Sequence, residues 1–369
     1  MIRKLHLWLG LVSGIVVFIV SVTGCILVFE DEIRYATNPY LQNITSAGSL
    51  LPPSVLAEKA RAAHGQKAAY ITWEGVQHPV AVNMQGAKKR SESEVVYLDP
   101  HTGKVLGIMD MKKDFFRFIL KGHYYLWLPE NIGKVIVPAA VLMFLFLLIT
   151  GTILWWPKKR NQLLAGLTIR WTARWRRVNY DLHNVLGFYS VLFLLIICLT
   201  GLVFGYQWFA RSVYFISSGG RKMVMTHKGK SGKPMPVENM VDSIWMRQMA
   251  QVPLNESNSV VIYFPVKRED VITLYFNPDH TTRYRRDTRY FDQYSGKEVN
   301  GKGSGFGNGL YAYATPADKI KRMNFDMHVG AIGGLPGKVI AFLASLFAAS
   351  LPVTGTLIWL GRKFKSKKR

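Results

Sequence analysis

Cysteine is nearly absent from this chain. Its 369 residues include two, Cys25 and Cys198, each inside a long apolar stretch. Two cysteines cannot supply a disulfide framework or a zinc ribbon, and no Cys-x-x-Cys-His motif is present for covalent attachment of a c-type haem. We therefore expect both thiols to act as small buried hydrophobic groups.

Acidic residues are also scarce and unevenly distributed. The chain has 23 Asp and Glu against 47 Lys and Arg, which gives a formal net charge of +24. No carboxylate occurs between residues 157 and 180 or after residue 361, where lysine and arginine are concentrated. A basic chain can bind nucleic acid. Here the basic clusters flank apolar stretches, so membrane lipid is the simpler partner and we expect no nucleic acid.

Long apolar runs, by contrast, are prominent. Four of them are long enough to cross a bilayer core, which takes about 20 helical residues, at 7–29, 135–156, 185–208 and 339–360. Because basic residues favour the cytoplasmic side, both termini and the connection between the second and third runs are predicted to be cytoplasmic. The predicted order is transmembrane helix 1–30, extracytoplasmic domain 31–132, helix 133–157, basic loop 158–180, helix 181–208, extracytoplasmic domain 209–335, helix 336–361 and basic tail 362–369.

Each long connecting segment has the pattern of an α+β domain. A helix is predicted in each, over 52–64 and 237–249, from an apolar stripe with helical spacing. Alternating apolar residues predict strands at 69–73, 79–83, 95–98, 104–108, 260–265, 271–277, 289–292 and 297–299. The predicted fold class is an α-helical membrane protein with four transmembrane helices and two α+β extracytoplasmic domains.

The two halves of the chain repeat one another. HLWLG begins at residue 6 and HNVLG at residue 183, and a Thr-Gly pair follows each histidine by 17 residues. A second histidine in each half precedes Gly-Lys-Val and then Thr-Gly-Thr; these are His123 and His328. The pattern predicts an internal duplication. It also argues that VTGC, which ends at Cys25 and resembles a lipoprotein cleavage signal, is part of a span and is not cleaved.

Topology places the four repeated histidines in two same-side pairs. His6 and His183 are predicted at the cytoplasmic face, and His123 and His328 at the opposite face. Each pair consists of two imidazoles, one from each half. Bis-histidine ligation of a b-type haem requires two imidazoles that face each other. A polar residue that reaches the membrane interface is the alternative for each histidine alone. The repeated glycines likewise fit either close helix packing or a flat macrocycle against the backbone.

Several motifs resemble those of a known family. They are YLDPHTGKVLG at residues 97–107, its weaker copy YFDQYSGKEV at 290–299, and the histidine motifs above. Together they resemble the PepSY-associated transmembrane family of bacterial inner-membrane proteins over essentially the whole chain. Within that family the resemblance is closest to the di-haem ferric-siderophore reductases, typified by those that act on ferrioxamine.

The resemblance implies a multi-pass inner-membrane oxidoreductase for iron acquisition. It would hold two b-type haems, one on His6 and His183 and one on His123 and His328, and reduce ferric siderophore in the periplasm to release Fe(II). The electron donor is open between a quinol and a cytoplasmic reductase. A basic cluster is a candidate substrate surface, with a solvated charged strand as its alternative: Arg283, Arg285, Arg286 and Arg289. The alternative function is a non-catalytic, membrane-anchored PepSY module that binds or regulates a periplasmic partner.

Overall fold

The structure is a computed structural model that describes residues 1–42, 44, 46, 48–86, 93–157, 163–232 and 239–366. Its helices are α1 (Ile2–Val28), α2 (Glu30–Thr37), α3 (Pro53–His64), α4 (Phe115–Tyr125), α5 (Glu130–Trp155), α6 (Leu163–Leu167), α7 (Trp175–Gly205), α8 (Gln207–Ser217), α9 (Met240–Gln251), α10 (Pro316–His328) and α11 (Gly334–Ser366). Its strands are β1 (Ala68–Glu74), β2 (Val80–Met84), β3 (Glu94–Leu98), β4 (Val105–Asp110), β5 (Ser259–Tyr263), β6 (Val271–Asn277), β7 (Asp287–Asp292) and β8 (Glu298–Val299).

Four of the described helices, α1, α5, α7 and α11, are long and apolar enough to span a membrane. They coincide with the four predicted runs, and the chain is a membrane protein. Helix α7 begins ten residues before its apolar run, since the polar sequence from Trp175 to Asn184 continues the same helix. The first turns of α7 therefore carry polar side chains.

The four long helices and the chain next to them form one compact unit. Within it, α1 packs against α5 and α11, and α7 packs against the same two helices. Small residues permit close approach: a Cβ at Gly14 would lie 3.4 Å from Pro352 Cβ, and one at Gly205 would lie 2.8 Å from Pro138 Cβ. Both cysteines are buried and unbridged, as predicted.

The second compact unit contains one antiparallel sheet of eight strands. Its order is β4-β3-β2-β1-β5-β6-β7-β8, so each half of the chain supplies a four-strand meander. The sequence predicts a separate domain for each connecting segment. In the structure the two meanders share one sheet, because β1 pairs with β5 from Tyr70–Tyr263 to Glu74–Ser259. That pairing satisfies the backbone groups that two separate sheets would leave at exposed edges.

Helices α3 and α9 contribute to the core of this unit together with one face of the sheet. Alternate strand residues such as Ile71, Val82 and Ile262 are fully buried there. Trp73 on β1 stacks on Trp245 of α9 with ring centroids 4.0 Å apart. The predicted helices and strands of this unit are thus confirmed. Helix α9 begins at Met240, and residues 237 and 238 of its predicted range lie outside the described residues.

Short helices that the apolar pattern does not predict precede two of the spans. Helix α4 carries His123 and is followed by Leu126 and Trp127, whose φ angles of 55° and 58° are left-handed. Helix α10 ends at His328, and the chain turns at Gly330, where φ is 78°. The break between α4 and α5 lies where Pro129 predicts one. His123 precedes its Gly-Lys-Val motif by ten residues and His328 by nine, and the different breaks account for this one-residue difference.

Candidate functional site

The four repeated histidines lie in the membrane-helix unit, near helix ends. His6 is in the second turn of α1 and His183 in the third turn of α7. His123 is the third residue from the end of α4, and His328 is the last residue of α10. One histidine of each half therefore lies on a spanning helix, and the other lies on the short helix that precedes a span.

His123 and His328 face each other across the two halves. Their ring centroids are 6.4 Å apart and the ring planes are inclined at 70°. Two imidazoles that share one metal, with metal–nitrogen bonds of about 2 Å, have ring centres about 6 Å apart. Desolvation lowers the pKa of both imidazoles to about 4. Both are therefore neutral at pH 7, the protonation state in which histidine binds metal.

His6 and His183 line one cavity of about 680 Å³ inside the helix unit. That volume is within the range of pockets that hold organic cofactors, about 300–1,000 Å³. Gly10 and Gly187 also line it, and a Cβ at these positions would come no closer than 3.8 Å and 3.7 Å to another side chain. The cavity walls at these two glycines are bare backbone, a surface against which a flat macrocycle can lie.

Aromatic rings form another part of this cavity. Trp155 and Phe188 both line it and stack with ring centroids 3.7 Å apart at 13°. Trp359 lies on the same cavity. Trp155 is the last residue of α5, and Trp359 lies seven residues before the end of α11. Both therefore line the cavity as well as fitting an interfacial position.

Three arginines belong to the cavity lining: Arg3, Arg177 and Arg362. All three are exposed, and Arg177 also pairs with the buried carboxylate of Asp181 at 2.9 Å. Guanidinium groups pair well with carboxylates. The cavity thus combines two imidazoles and apolar walls with cationic side chains, which is the donor set that suits a haem with its two propionates.

Each of the four histidines is hydrogen-bonded through Nδ1 to a threonine of the Thr-Gly pairs. His6 contacts Thr150 at 2.9 Å, and His123 contacts Thr23 at 3.0 Å. His183 contacts Thr354 and His328 contacts Thr200, both at 2.9 Å. In the part of the chain that the structure describes, none of the four Nε2 atoms has a hydrogen-bond partner. Sequence reasoning identified the Thr-Gly pairs as a repeated feature of the spans and assigned them no contact.

No cluster of three or more His, Cys, Asp and Glu side chains is placed to hold a metal ion among the described residues. Each histidine pair instead offers two protein ligands, the number that a six-coordinate haem iron takes from a protein. The residues present therefore fit a bis-histidine haem better than a bare metal ion.

The remaining histidines belong to the sheet unit. His64 pairs with Glu94, and His78 lies 5.9 Å from His280 between ring centroids. His280 Nδ1 donates to Ser257 O at 2.9 Å. No sequence pattern indicates the contact between His78 and His280, because the two residues belong to different halves and to loops without a shared motif.

The predicted arginine cluster lies in the sheet unit, where Arg283 and Arg285 are exposed and Arg286 and Arg289 are half-buried. The Arg286 guanidinium lies 4.0 Å from the Tyr275 ring centroid and 4.3 Å from that of Phe306. Arg283 lies 4.0 Å over Phe325, Arg285 donates to Tyr284, and Arg289 pairs with Glu298 at 2.6 Å. Aromatic rings and a carboxylate thus account for these four positions structurally. Their role as a substrate surface stays a prediction.

The chain matches the family model described as the PepSY-associated TM region over residues 3–362. No curated protein matches it.

Proposed function

Since the chain belongs to the PepSY-associated TM region family, we propose that it is an inner-membrane electron-transfer protein that holds two b-type haems and reduces ferric siderophore in the periplasm. The observation that carries this proposal is the set of four imidazoles in two pairs, each hydrogen-bonded through Nδ1 with Nε2 left for a metal. Bound at both pairs, haem would supply one-electron redox chemistry on each side of the bilayer.

The side chains around each pair have defined tasks. His6 and His183 would bind iron on the cytoplasmic side, where the basic residues concentrate, and His123 and His328 on the periplasmic side. Gly10 and Gly187 would leave room for the macrocycle, and Arg3, Arg177 and Arg362, which line the same cavity, would neutralise its propionates. The two pairs are separated by about 26 Å along the helix axis, because Thr23, which contacts His123, is 17 residues from His6.

Reduction of the substrate follows from ligand hardness. A siderophore holds Fe(III) through hard oxygen donors, and one electron converts the metal to Fe(II), which those donors bind far less tightly. Each iron released consumes one electron, so a fully reduced chain with two haems can reduce two ferric siderophores. The electron donor would be a quinol or a cytoplasmic reductase. Internal duplication of one His–Thr-Gly half would explain why the two sites use the same residue types.

Single-turnover reoxidation tests the proposal. The purified full chain is reduced with dithionite, freed of excess reductant and mixed with a ferric hydroxamate and a chromogenic Fe(II) chelator. We expect oxidation of the haem absorption bands together with about two equivalents of trapped Fe(II) per chain. His183→Ala and His328→Ala should each remove one haem and stop transfer, whereas His227→Ala, in the sheet unit, should match the wild type.

A reduced chain that keeps its haem spectrum unchanged in the presence of ferric siderophore would contradict the reductase assignment. Equal haem content in all three histidine variants would contradict the ligand assignment. A colourless chain from haem-replete cells would favour the alternative function, a non-catalytic module that binds a periplasmic partner.

A further inference from the structure

The Thr-Gly pairs contact histidines in a crossed arrangement. The pair at the far end of α1, Thr23-Gly24, contacts His123, whereas His6 at the near end of α1 contacts Thr150 of α5. The second half repeats this exchange, with Thr200 of α7 contacting His328 and Thr354 of α11 contacting His183. Each spanning helix carries one histidine or directly follows the short helix that carries it. The threonine of that spanning helix contacts a histidine of the other pair.

The hydroxyl proton of each threonine has another acceptor. Thr23 Oγ1 donates to Ile19 O at 2.7 Å, Thr150 to Phe146 O at 2.7 Å, Thr200 to Ile196 O at 2.7 Å and Thr354 to Ser350 O at 2.8 Å. A hydroxyl has a single proton. With that proton directed to the carbonyl four residues back, Oγ1 can only accept, so the histidine must donate from Nδ1.

Two backbone carbonyls lead independently to the same tautomer. Val20 O lies 3.0 Å from His123 Nδ1, and Ile197 O lies 3.1 Å from His328 Nδ1. A carbonyl oxygen accepts and never donates. Nδ1 of these two histidines therefore carries the proton, and the lone pair available for a metal is on Nε2.

The glycine after each threonine admits the imidazole ring. An ideal Cβ would lie 3.4 Å from His123 Cε1 at Gly24, 3.2 Å from His6 Cε1 at Gly151, 3.3 Å from His328 Cε1 at Gly201 and 3.2 Å from His183 Cε1 at Gly355. The four threonines are buried, with exposed fractions of 3–8%. The motif thus holds one ring edge against helix backbone and fixes its tautomer by a hydrogen bond.

We propose that Thr23, Thr150, Thr200 and Thr354 are positioning residues that fix the Nδ1–H tautomer and orientation of the haem-ligating histidines on the crossed helices. This inference rests on the proposed haem function. Partners of this kind orient a metal-bound imidazole and raise its basicity, and their loss typically lowers metal affinity about 10–100-fold.

The crossed arrangement makes the test directional. Thr150→Val should lower haem affinity about 10–100-fold at the His6/His183 pair and leave the other pair unchanged. Thr23→Val, on the same helix as His6, should instead affect the His123/His328 pair. Thr150→Ser, which keeps the hydroxyl, should restore binding. The matched control is Thr168→Val, since Thr168 donates to Leu164 O at 3.0 Å, contacts no histidine and does not line the cavity of His6 and His183.

Haem affinity and the EPR signal of each low-spin haem are measured for every variant, with His183→Ala and His328→Ala defining which signal belongs to which pair. Three results would each overturn the inference while the proposed function stands. They are a Thr150→Val variant that behaves like Thr168→Val, a Thr23→Val variant that disturbs the His6/His183 signal, and a Thr150→Ser variant that does not restore binding. A wild type without haem would refute the proposed function.

The tautomer is also measured directly in haem-free protein carrying ¹⁵N-labelled histidine. We expect the Nδ1–H form at the four positions, with the His6 resonances altered by Thr150→Val and unaltered by Thr168→Val. The Nε2–H form at these positions would overturn the inference, and this result does not depend on whether haem binds.

Discussion

Gly355 offers a sharp test of how closely the imidazole of His183 is enclosed. An alanine Cβ at this position would lie 3.2 Å from His183 Cε1, whereas carbon atoms in favourable contact are about 3.5–4.0 Å apart. The ring must therefore move by a few tenths of an ångström or rotate. Because Thr354 holds Nδ1 at 2.9 Å on the adjacent residue, that movement strains the hydrogen bond that orients the ring.

The same helix supplies the control. Gly361 lies six residues further along α11, and a Cβ there would meet no atom within 4 Å. Alanine in place of glycine should favour the helix by about 0.5–1 kcal/mol at either position. The two variants thus share the propensity change and differ in the contact with His183.

We expect Gly355→Ala to lower haem occupancy at the His6/His183 pair about tenfold or more, because functional sites tolerate displacements of only about 0.5 Å. Gly361→Ala should retain wild-type haem content. The assay is haem per chain by the reduced-minus-oxidised spectrum, with thermal unfolding of both variants to show that the bundle is intact. Full haem content in Gly355→Ala would refute the close enclosure of His183.

Two further predictions concern the sheet unit. Arg34→Ala should destabilise this unit by about 3–5 kcal/mol in thermal unfolding. Arg34 pairs with the largely buried Asp114 carboxylate through contacts of 2.8 and 2.5 Å, and its loss leaves that charge without its cation. Unchanged unfolding would contradict this prediction. The carboxylate of Asp99, in the turn between β3 and β4, should make the stability of the unit sensitive to acid. Desolvation alone would raise the pKa of Asp99, but hydrogen bonds from the Ser46 hydroxyl and the His101 and Thr102 amides outweigh it and hold the pKa below its ordinary value. A depressed carboxyl pKa stabilises the folded state above the unfolded value of about 3.9, and that stability is lost as pH falls through the folded pKa. Stability of the unit should therefore fall below about pH 4, and Asp99→Asn should flatten that dependence; an equally steep fall in the variant would contradict the assignment.

The sequence predicted the local elements well because hydropathy and alternation encode them directly. The apolar runs predict the four spans, although α7 begins ten residues before its run, and the core positions of β5 follow from every second residue being buried. The amphipathic helix α4 was missed since its sequence, FFRFILKGHYY, is too short and too mixed to stand out beside a span.

Long-range contacts were harder to predict. Pairing of β1 with β5 joins residues almost 190 positions apart, and no local pattern predicts which edge strands meet. The sequence does contain a spacing that bears on the crossed His–Thr contacts. A histidine and a Thr-Gly pair 17 residues apart on one helix are separated by about 26 Å, so each can meet only the partner on an antiparallel neighbour. That spacing was not used to predict the contacts, and the role of the hydroxyl as acceptor follows only from the hydrogen bonds of the folded structure.

The most direct test of the central claim is the haem content of the full chain purified from haem-replete cells. We predict two non-covalent b-type haems per chain, with a Soret band that shifts on reduction and the low-spin spectrum of bis-histidine ligation. Purified protein that lacks a Soret band, or whose haem spectrum is unchanged when His123 or His183 is replaced by alanine, would contradict the claim that these imidazoles bind iron.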